Sequence, residues 1–306
     1  MTSILGRLSP AAFMRDYWQQ KPLLIRQALP GFGGIVDRDA LSRLATRSDA
    51  TSRLVIEHPR RRGPDHWERA DGPFATLDAA LLPASHWTLL VHGVESLVPG
   101  GWELLRRFSF LPAARIDDLM VSYAAPGGSV GPHEDRYDVF LLQGPGRRRW
   151  QLSERGDHAL DPTAKIKVLK SFEVEREWLL EPGDMLYLPP SVAHYGVAEG
   201  ECFTYSIGFL APSHDELAQS FLGYLGGTLA TAFSGDALLA AGDRAPTKAP
   251  LALPAPMLAE VASVLDGLRW DRALTERFVG CFLTRPKPHV VFTPPARPLS
   301  PDAFAQ

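Results

Sequence analysis

Short apolar segments separated by turn residues predict a mainly β protein, its centre a double-stranded β-helix (a jelly roll) and its C-terminal part helical. Three observations carry that reading. Between about residues 85 and 210, brief strand-forming runs alternate with breakers such as Pro126-Gly127-Gly128, Gly144-Pro145-Gly146 and Pro189-Pro190, the spacing of an all-β sandwich or barrel. Two loops of that region carry metal-binding residue types, His133-Glu134-Asp135 and His194. Beyond Ala211-Pro212 the apolar period lengthens to that of a helix.

Each element follows from local chemistry. Ser9 and Pro10 read as the N-cap and first residue of a helix that must stop before Pro22. Leu23-Leu24-Ile25 is a short strand, and Arg60-Arg61-Arg62 with His66 and Trp67 is a solvated loop tip between Pro59 and Gly63-Pro64. Thr88–Val91 reads as a strand, Trp102–Phe108 as a helix after Pro99-Gly100-Gly101, and Leu119–Ala124 as a strand entering the Pro126 turn. Tyr137–Gln143, Arg147–Leu152, Trp178–Leu180, Met185–Leu188 and Phe203–Phe209 continue the strand pattern, with His194 on the loop past Met185–Leu188. Ser213 and Glu216 form a capping box, and Leu217, Phe221, Tyr224, Leu225 and Leu229 recur at helical spacing behind it. Ala237–Pro256 reads as a linker, Met257–Leu268 and Asp271–Leu283 as two further helices, and the stretch from Pro286 as a Pro-rich tail.

Composition narrows the class. The 306 residues hold 45% hydrophobic and 22% charged side chains, a soluble globular balance. The net charge of −3 argues against a general nucleic-acid binder, so no direct nucleic-acid contact is expected. Cys202 and Cys281 form no CxxC pair, which fits a reducing compartment better than a disulfide scaffold. With no apolar leader at the N-terminus and no run of membrane-spanning length, the expected location is the cytoplasm.

The chemistry concentrates between Gly127 and His194. In an extended strand His133 and Asp135 share a face. A His-x-Asp pair recurs in ordinary turns, but the segment Glu181–His194 adds a turn, a buried strand and a second histidine. Two imidazoles and one carboxylate on one side of a metal suit non-haem Fe(II) and O2 chemistry.

These residues resemble known motifs. Gly127, five residues and His133-x-Asp135 are similar to the first cupin motif, with Asp replacing its second His. Gly183, five residues, Pro189 and then His194 are similar to the second, with Ser191 where Gly is usual. The Asp-for-His exchange is that of JmjC-type 2-oxoglutarate oxygenases. Tyr17–Ile25, Ile116–Ser122, Tyr137–Phe140 and Gly146–Trp150 resemble the bacterial ribosomal oxygenases, which hydroxylate an arginine of large-subunit ribosomal protein sixteen.

The resemblance implies a cupin/JmjC-type barrel in which His133, Asp135 and His194 are the catalytic metal ligands for Fe(II), with 2-oxoglutarate and O2 as cosubstrates. Arg148 lies fifteen residues after His133, where relatives place the cation for the distal carboxylate, and strand alternation leaves Arg147 and Arg149 outside. Ser122 and Thr204 are the expected polar helpers, with Ser206 in the parity of Thr204. Ala124 stands where relatives carry a Ser, and the usual cupin Glu is missing. Asp117, Asp118, Glu134 and Asp138 are candidates to receive a guanidinium at the mouth. The expected domains are an N-terminal segment 1–84 packed on the barrel, a catalytic core 85–211, a helical homodimerisation region 212–285, and a tail 286–306. The resemblance implies a winged-helix domain after those helices, and the tail reads as its cut-short start, since Ser300-Pro301-Asp302 is a cap without a helix body. The leading expectation is an arginine hydroxylase of a ribosomal protein. The alternatives are an oxygenase acting on histidine or lysine, a cupin metalloenzyme without 2-oxoglutarate, and an inactive dimeric scaffold.

Overall fold

A computed structural model describes residues 3–77, 81–155, 158–229, 251–285, 297, 298 and 300. Its chain separates after Ala211 into a β-rich unit and a helical unit from Pro212 to Arg285. Most of the expected 237–256 linker and nearly all of the 286–306 tail lie outside the described residues.

The β-rich unit begins with helix α1 (Pro10–Asp16), where Ser9 Oγ accepts the Ala12 N–H at 3.1 Å. Strand β1 (Leu23–Ile25) follows, then α2 (Arg38–Leu44), capped by Asp37. Strands β2 (Thr51–Glu57), β3 (Trp67–Asp71) and β4 (Trp87–His92) precede two short helices, α3 (Val94–Leu97) and α4 (Pro99–Leu105). The expected Trp102–Phe108 helix is thus displaced: Pro99 opens α4 at its first turn, and the last three residues form a 3-10 turn. Then come β5 (Ile116–Ala124), β6 (Val139–Gln143), β7 (Arg147–Ser153), β8 (Arg176–Leu180), β9 (Met185–Leu188), β10 (Ala193–Glu199) and β11 (Cys202–Phe209).

Eight strands pair in the order β1-β9-β6-β11-β5-β4-β2-β3, and three form a second sheet, β10-β7-β8. The N-terminal segment therefore does more than wrap the barrel: β1 extends one side of the large sheet through β9, and β2 and β3 extend the other through β4.

Alternation sorts the large sheet into two faces. On β11, Phe203, Tyr205, Ile207 and Phe209 join Phe13, Leu41, Leu104 and Phe108 from the covering helices in one apolar core. Thr204, Ser206 and Gly208 turn instead into a cavity. Between the sheets Val139, Leu141, Trp150, Leu152 and Leu180 form a smaller cluster.

The helical unit comprises α5 (His214–Leu229), α6 (Ala255–Asp266) and α7 (Arg272–Leu283). Ser213 Oγ accepts the Glu216 N–H at 3.0 Å, and Asp271 caps α7 through the Leu274 N–H at 2.7 Å. Phe221, half-buried, packs edge-on against Trp270 and Phe278 within this unit. Among the described residues, no helix is long and apolar enough to cross a membrane.

Candidate active site

His133 and Asp135 stand between β5 and β6. Gly131 takes φ +79°, a left-handed conformation that a side chain would strain, and its carbonyl lies 2.9 Å from His133 Nδ1. His194 occupies the second position of β10, not a loop. Its segment, Ala193-His194-Tyr195-Gly196, has no apolar run to mark a strand, and cross-strand pairing decides instead. His133 and His194 form an antiparallel bridge with N–O distances of 3.0 and 2.8 Å. Ser191 adopts φ +64°, the conformation a Gly would take there, and its N–H donates to Asp135 O at 2.8 Å. Backbone bonds thus tie all three side chains to one spot.

The Nδ1 of His194 faces Val192 O at 2.9 Å, as that of His133 faces Gly131 O. Each carbonyl takes an Nδ1–H, which leaves Nε2 as the lone-pair nitrogen. One ligand atom from each of His133, Asp135 and His194 lies within 4.8 Å of the others, and His194 Nε2 is 3.8 Å from Asp135 Oδ2. Burial, with the charge of His133 adding to it and Asp135 opposing, pushes His194 down to about 4. The ring is therefore neutral at physiological pH, the form that binds metal. Two imidazoles and a carboxylate on one side fit Fe(II) with open positions.

These residues line a cavity that opens to solvent. Arg148 reaches into it from β7 and is only 3% exposed. Its Nη1 makes a long bond of 3.4 Å to Gly196 O, while Nε and Nη2 have no partner among the described residues. Thr204 Oγ1 and Trp150 Nε1, in the same cavity, are buried and unpartnered too. Ser122 sits opposite Thr204 across the β5–β11 ladder. Leaving buried donors unmatched around a cation is costly, so this corner is built to receive an anion. Arg147 is exposed near Glu199, and Arg149 pairs with Glu177 and Glu199 on the outer face.

The four candidate acids separate. Asp118 is buried, lines the cavity, and accepts from His92 Nδ1 at 2.9 Å and Gly93 N at 3.3 Å. Asp117, next on the strand, has the opposite parity and stays outside the lining. Glu134 turns away to His158 Nδ1 at 2.7 Å. Asp138 is a correction: it is fully buried on the helix-covered side, accepting from Tyr187 Oη at 2.6 Å and Gln19 Nε2 at 3.1 Å. The parity of β6 sends it to the core, so it cannot meet a substrate at the mouth. Ala124 packs against Ala198 and Cys202 rather than lining the cavity.

Tyr137, Trp150 and His92 line the cavity and were not expected there. Parity could have found two of them, since Tyr137 is two residues past Asp135 and Trp150 two past Arg148. Burial and the adjacent Asp135 raise the Tyr137 hydroxyl well above its usual range, so it remains a donor.

Residues 103–217 match the family description JmjC domain. The chain is 40% identical over 213 residues to a probable ribosomal oxygenase of Haemophilus influenzae, covering 69% of this chain and 52% of that protein. It is 38% identical over 216 residues to the ribosomal protein uL16 3-hydroxylase of Escherichia coli, covering 70% and 56%. The chain spans about half the length of these curated relatives. The solved structure of YcfD, a ribosomal oxygenase from Escherichia coli in complex with cobalt and 2-oxoglutarate, matches with a TM-score of 0.77 at 32% identity, covering 97% of this chain and 76% of that chain.

Proposed function

The chain belongs to the JmjC-type ribosomal oxygenases, and on that premise we propose that it is an Fe(II)- and 2-oxoglutarate-dependent hydroxylase of an arginine side chain in a ribosomal protein, uL16 first. The observation that carries this is the buried, half-partnered Arg148 in the same cavity as the His133, Asp135 and His194 cluster. His133, Asp135 and His194 would hold the iron. When bound, the iron would activate O2, the oxidant, with 2-oxoglutarate as co-reductant: one oxygen atom would enter the target C–H bond and the other succinate, as CO2 leaves.

The protein's own share is positioning. Arg148 receives the distal carboxylate of 2-oxoglutarate, with Ser122 and Thr204 offering hydroxyls beside it. Leu90, Met120, Val130 and Leu141 line the cavity with apolar surface that limits water. Asp118, oriented by His92, faces the incoming guanidinium and favours a cationic target. The helical unit exposes Leu222, Leu258, Val261, Val264 and Leu265, an apolar surface that we assign to a homodimer contact. Light scattering of Leu258→Asp/Leu265→Asp should then show a smaller particle than the parent; a monomeric parent at high concentration would refute the dimer.

Mass spectrometry tests the reaction. A uL16 fragment incubated with enzyme, Fe(II), 2-oxoglutarate and O2 should gain one oxygen on one arginine, and His133→Ala and His194→Ala should abolish both the gain and metal binding. Oxygen on a histidine or lysine would reassign the target. Unchanged 2-oxoglutarate consumption by either variant would overturn the metal assignment.

A further inference from the structure

We propose that a basic rim beside the cavity mouth docks the phosphate backbone of RNA, holding it next to the protein segment being modified. The turn between β2 and β3 carries Arg60, Arg61 and Arg62, and the segment between β7 and β8 carries Lys165, Lys167 and Lys170, all exposed. Packing brings the two together. Lys165 Nζ lies 3.2 Å from Asp65 Oδ1 on the turn, and Val168 is buried against Trp67, Val55 and Leu90 beneath it. Val130 and Met120 pack on that same cluster and line the cavity. Leu169 N donates to Pro132 O at 2.8 Å, one residue before His133. The rim and the candidate metal site therefore share a wall.

The charge here is unlike that of the whole chain. Overall, 32 Lys and Arg face 35 Asp and Glu. On the rim, Asp65 answers Lys165, and Asp161 is bonded to Thr163 with Lys170 nearby. Glu57 and Glu68 are taken by His66 and His58. Arg62 donates to the carbonyls of Pro59 and Arg61. Among the described residues, Arg60, Arg61 and Lys167 have no carboxylate partner. Clustered like charges repel, so the rim costs stability until an anion answers it.

A peptide that presents an arginine to Asp118 is itself cationic, and this rim repels it. A polyanion that accompanies the peptide removes the repulsion. Phosphates spaced along an RNA strand suit cations spread over two loops, and arginine forks grip phosphate in two bonds. The choice of RNA over an acidic protein rests on the ribosomal substrate proposed above; the rim itself does not.

Fluorescence anisotropy of a labelled RNA hairpin titrated with the full 306-residue chain tests this without metal or cosubstrate, so its outcome is independent of the hydroxylation assay. Binding should weaken steeply with salt, and Arg60→Glu/Arg61→Glu/Lys167→Glu should lower affinity at least about tenfold, with a shallower salt slope. The milder Arg60→Gln/Arg61→Gln/Lys167→Gln should fall between, with a thermal midpoint no lower than the parent's. No binding at low salt, or equal binding by the Glu variant, overturns the proposal. Competition by polyglutamate as strong as by unlabelled RNA of equal charge would replace RNA with an acidic protein.

Discussion

The two faces of the large sheet are made by the same strands and do opposite things. On one, Phe140, Tyr187, Tyr205, Ile207 and Phe209 are almost wholly buried and interlock with Phe13 and Phe108, with ring centroids of 4.9 to 6.3 Å. On the other, Ser122, Thr204 and Ser206, each one residue away, line an open cavity that Arg148 enters from the second sheet, and Thr204 Oγ1 and two nitrogens of Arg148 lack partners among the described residues. Filled space stabilises the first face, whereas unfilled space and unmet hydrogen bonds make the second able to bind. Stability and binding should therefore be separable by parity alone.

The largest expected effect lies on the filled face. Phe140→Ala deletes a ring in contact with Phe13, Phe108, Tyr187 and Phe209 and should cost about 3–5 kcal/mol by urea unfolding. The folded fraction should still bind 2-oxoglutarate as the parent does. A loss of cosubstrate affinity as large as the loss of stability would show that the faces are not independent.

On the cavity face the signs reverse. Arg148→Met removes a buried cation with two unmatched nitrogens, so the ligand-free protein should become more stable. The same change removes a charge-assisted pair to a buried carboxylate, roughly 2–5 kcal/mol of 2-oxoglutarate binding, read by calorimetry or as a raised KM. Arg148→Lys should recover part of it, because a point charge reaches but cannot grip two oxygens. An Arg148→Met protein that binds normally would move the cosubstrate site elsewhere.

A smaller effect tests the polar exception on the filled face. Burial raises the Asp138 carboxyl above its usual range, against the hydrogen bonds from Tyr187 and Gln19. A carboxyl raised on folding contributes stability below its unfolded pKa and loses it as pH rises through the folded value. Asp138→Asn should thus be near neutral or mildly destabilising in acid, and should gain on the parent as pH rises, measured by urea midpoints across a pH series. An advantage that shrinks with rising pH would contradict that sign.

Much of this division was legible in the sequence, because it rests on a period of two. Thr204 and Ser206 between Phe203, Tyr205 and Ile207 announce a strand with one polar and one apolar face, and Arg148 between Arg147 and Arg149 needs only the same rule. Charge alone groups Asp138 with Asp118, but the parity of β6 sends Asp138 to the core. β10 is hidden for another reason. His194, Tyr195 and Gly196 form a strand through pairing with β7, a long-range contact that leaves no local apolar run. β3 escaped likewise, since four of its five residues are exposed and only Trp67 is buried.

The smallest expected effect is the sharpest test of parity. Arg149 neighbours Arg148 and looks the more engaged of the two, because it meets both Glu177 and Glu199, whereas Arg148 makes one long bond to a carbonyl. Counting contacts would make Arg149 the important residue. Its pairs, however, lie at the surface, where water and salt screen them and side-chain ordering offsets what attraction remains. Arg149→Ala should leave the thermal midpoint and the KM for 2-oxoglutarate close to the parent's, and Arg147→Ala should do the same. What little Arg149 contributes should fade at high salt, while the Arg148 effect, shielded in the cavity, should persist. Should the KM instead respond to Arg149 and not to Arg148, the register of β7 is wrong by one residue, and with it the assignment of every side chain on that strand to cavity or surface.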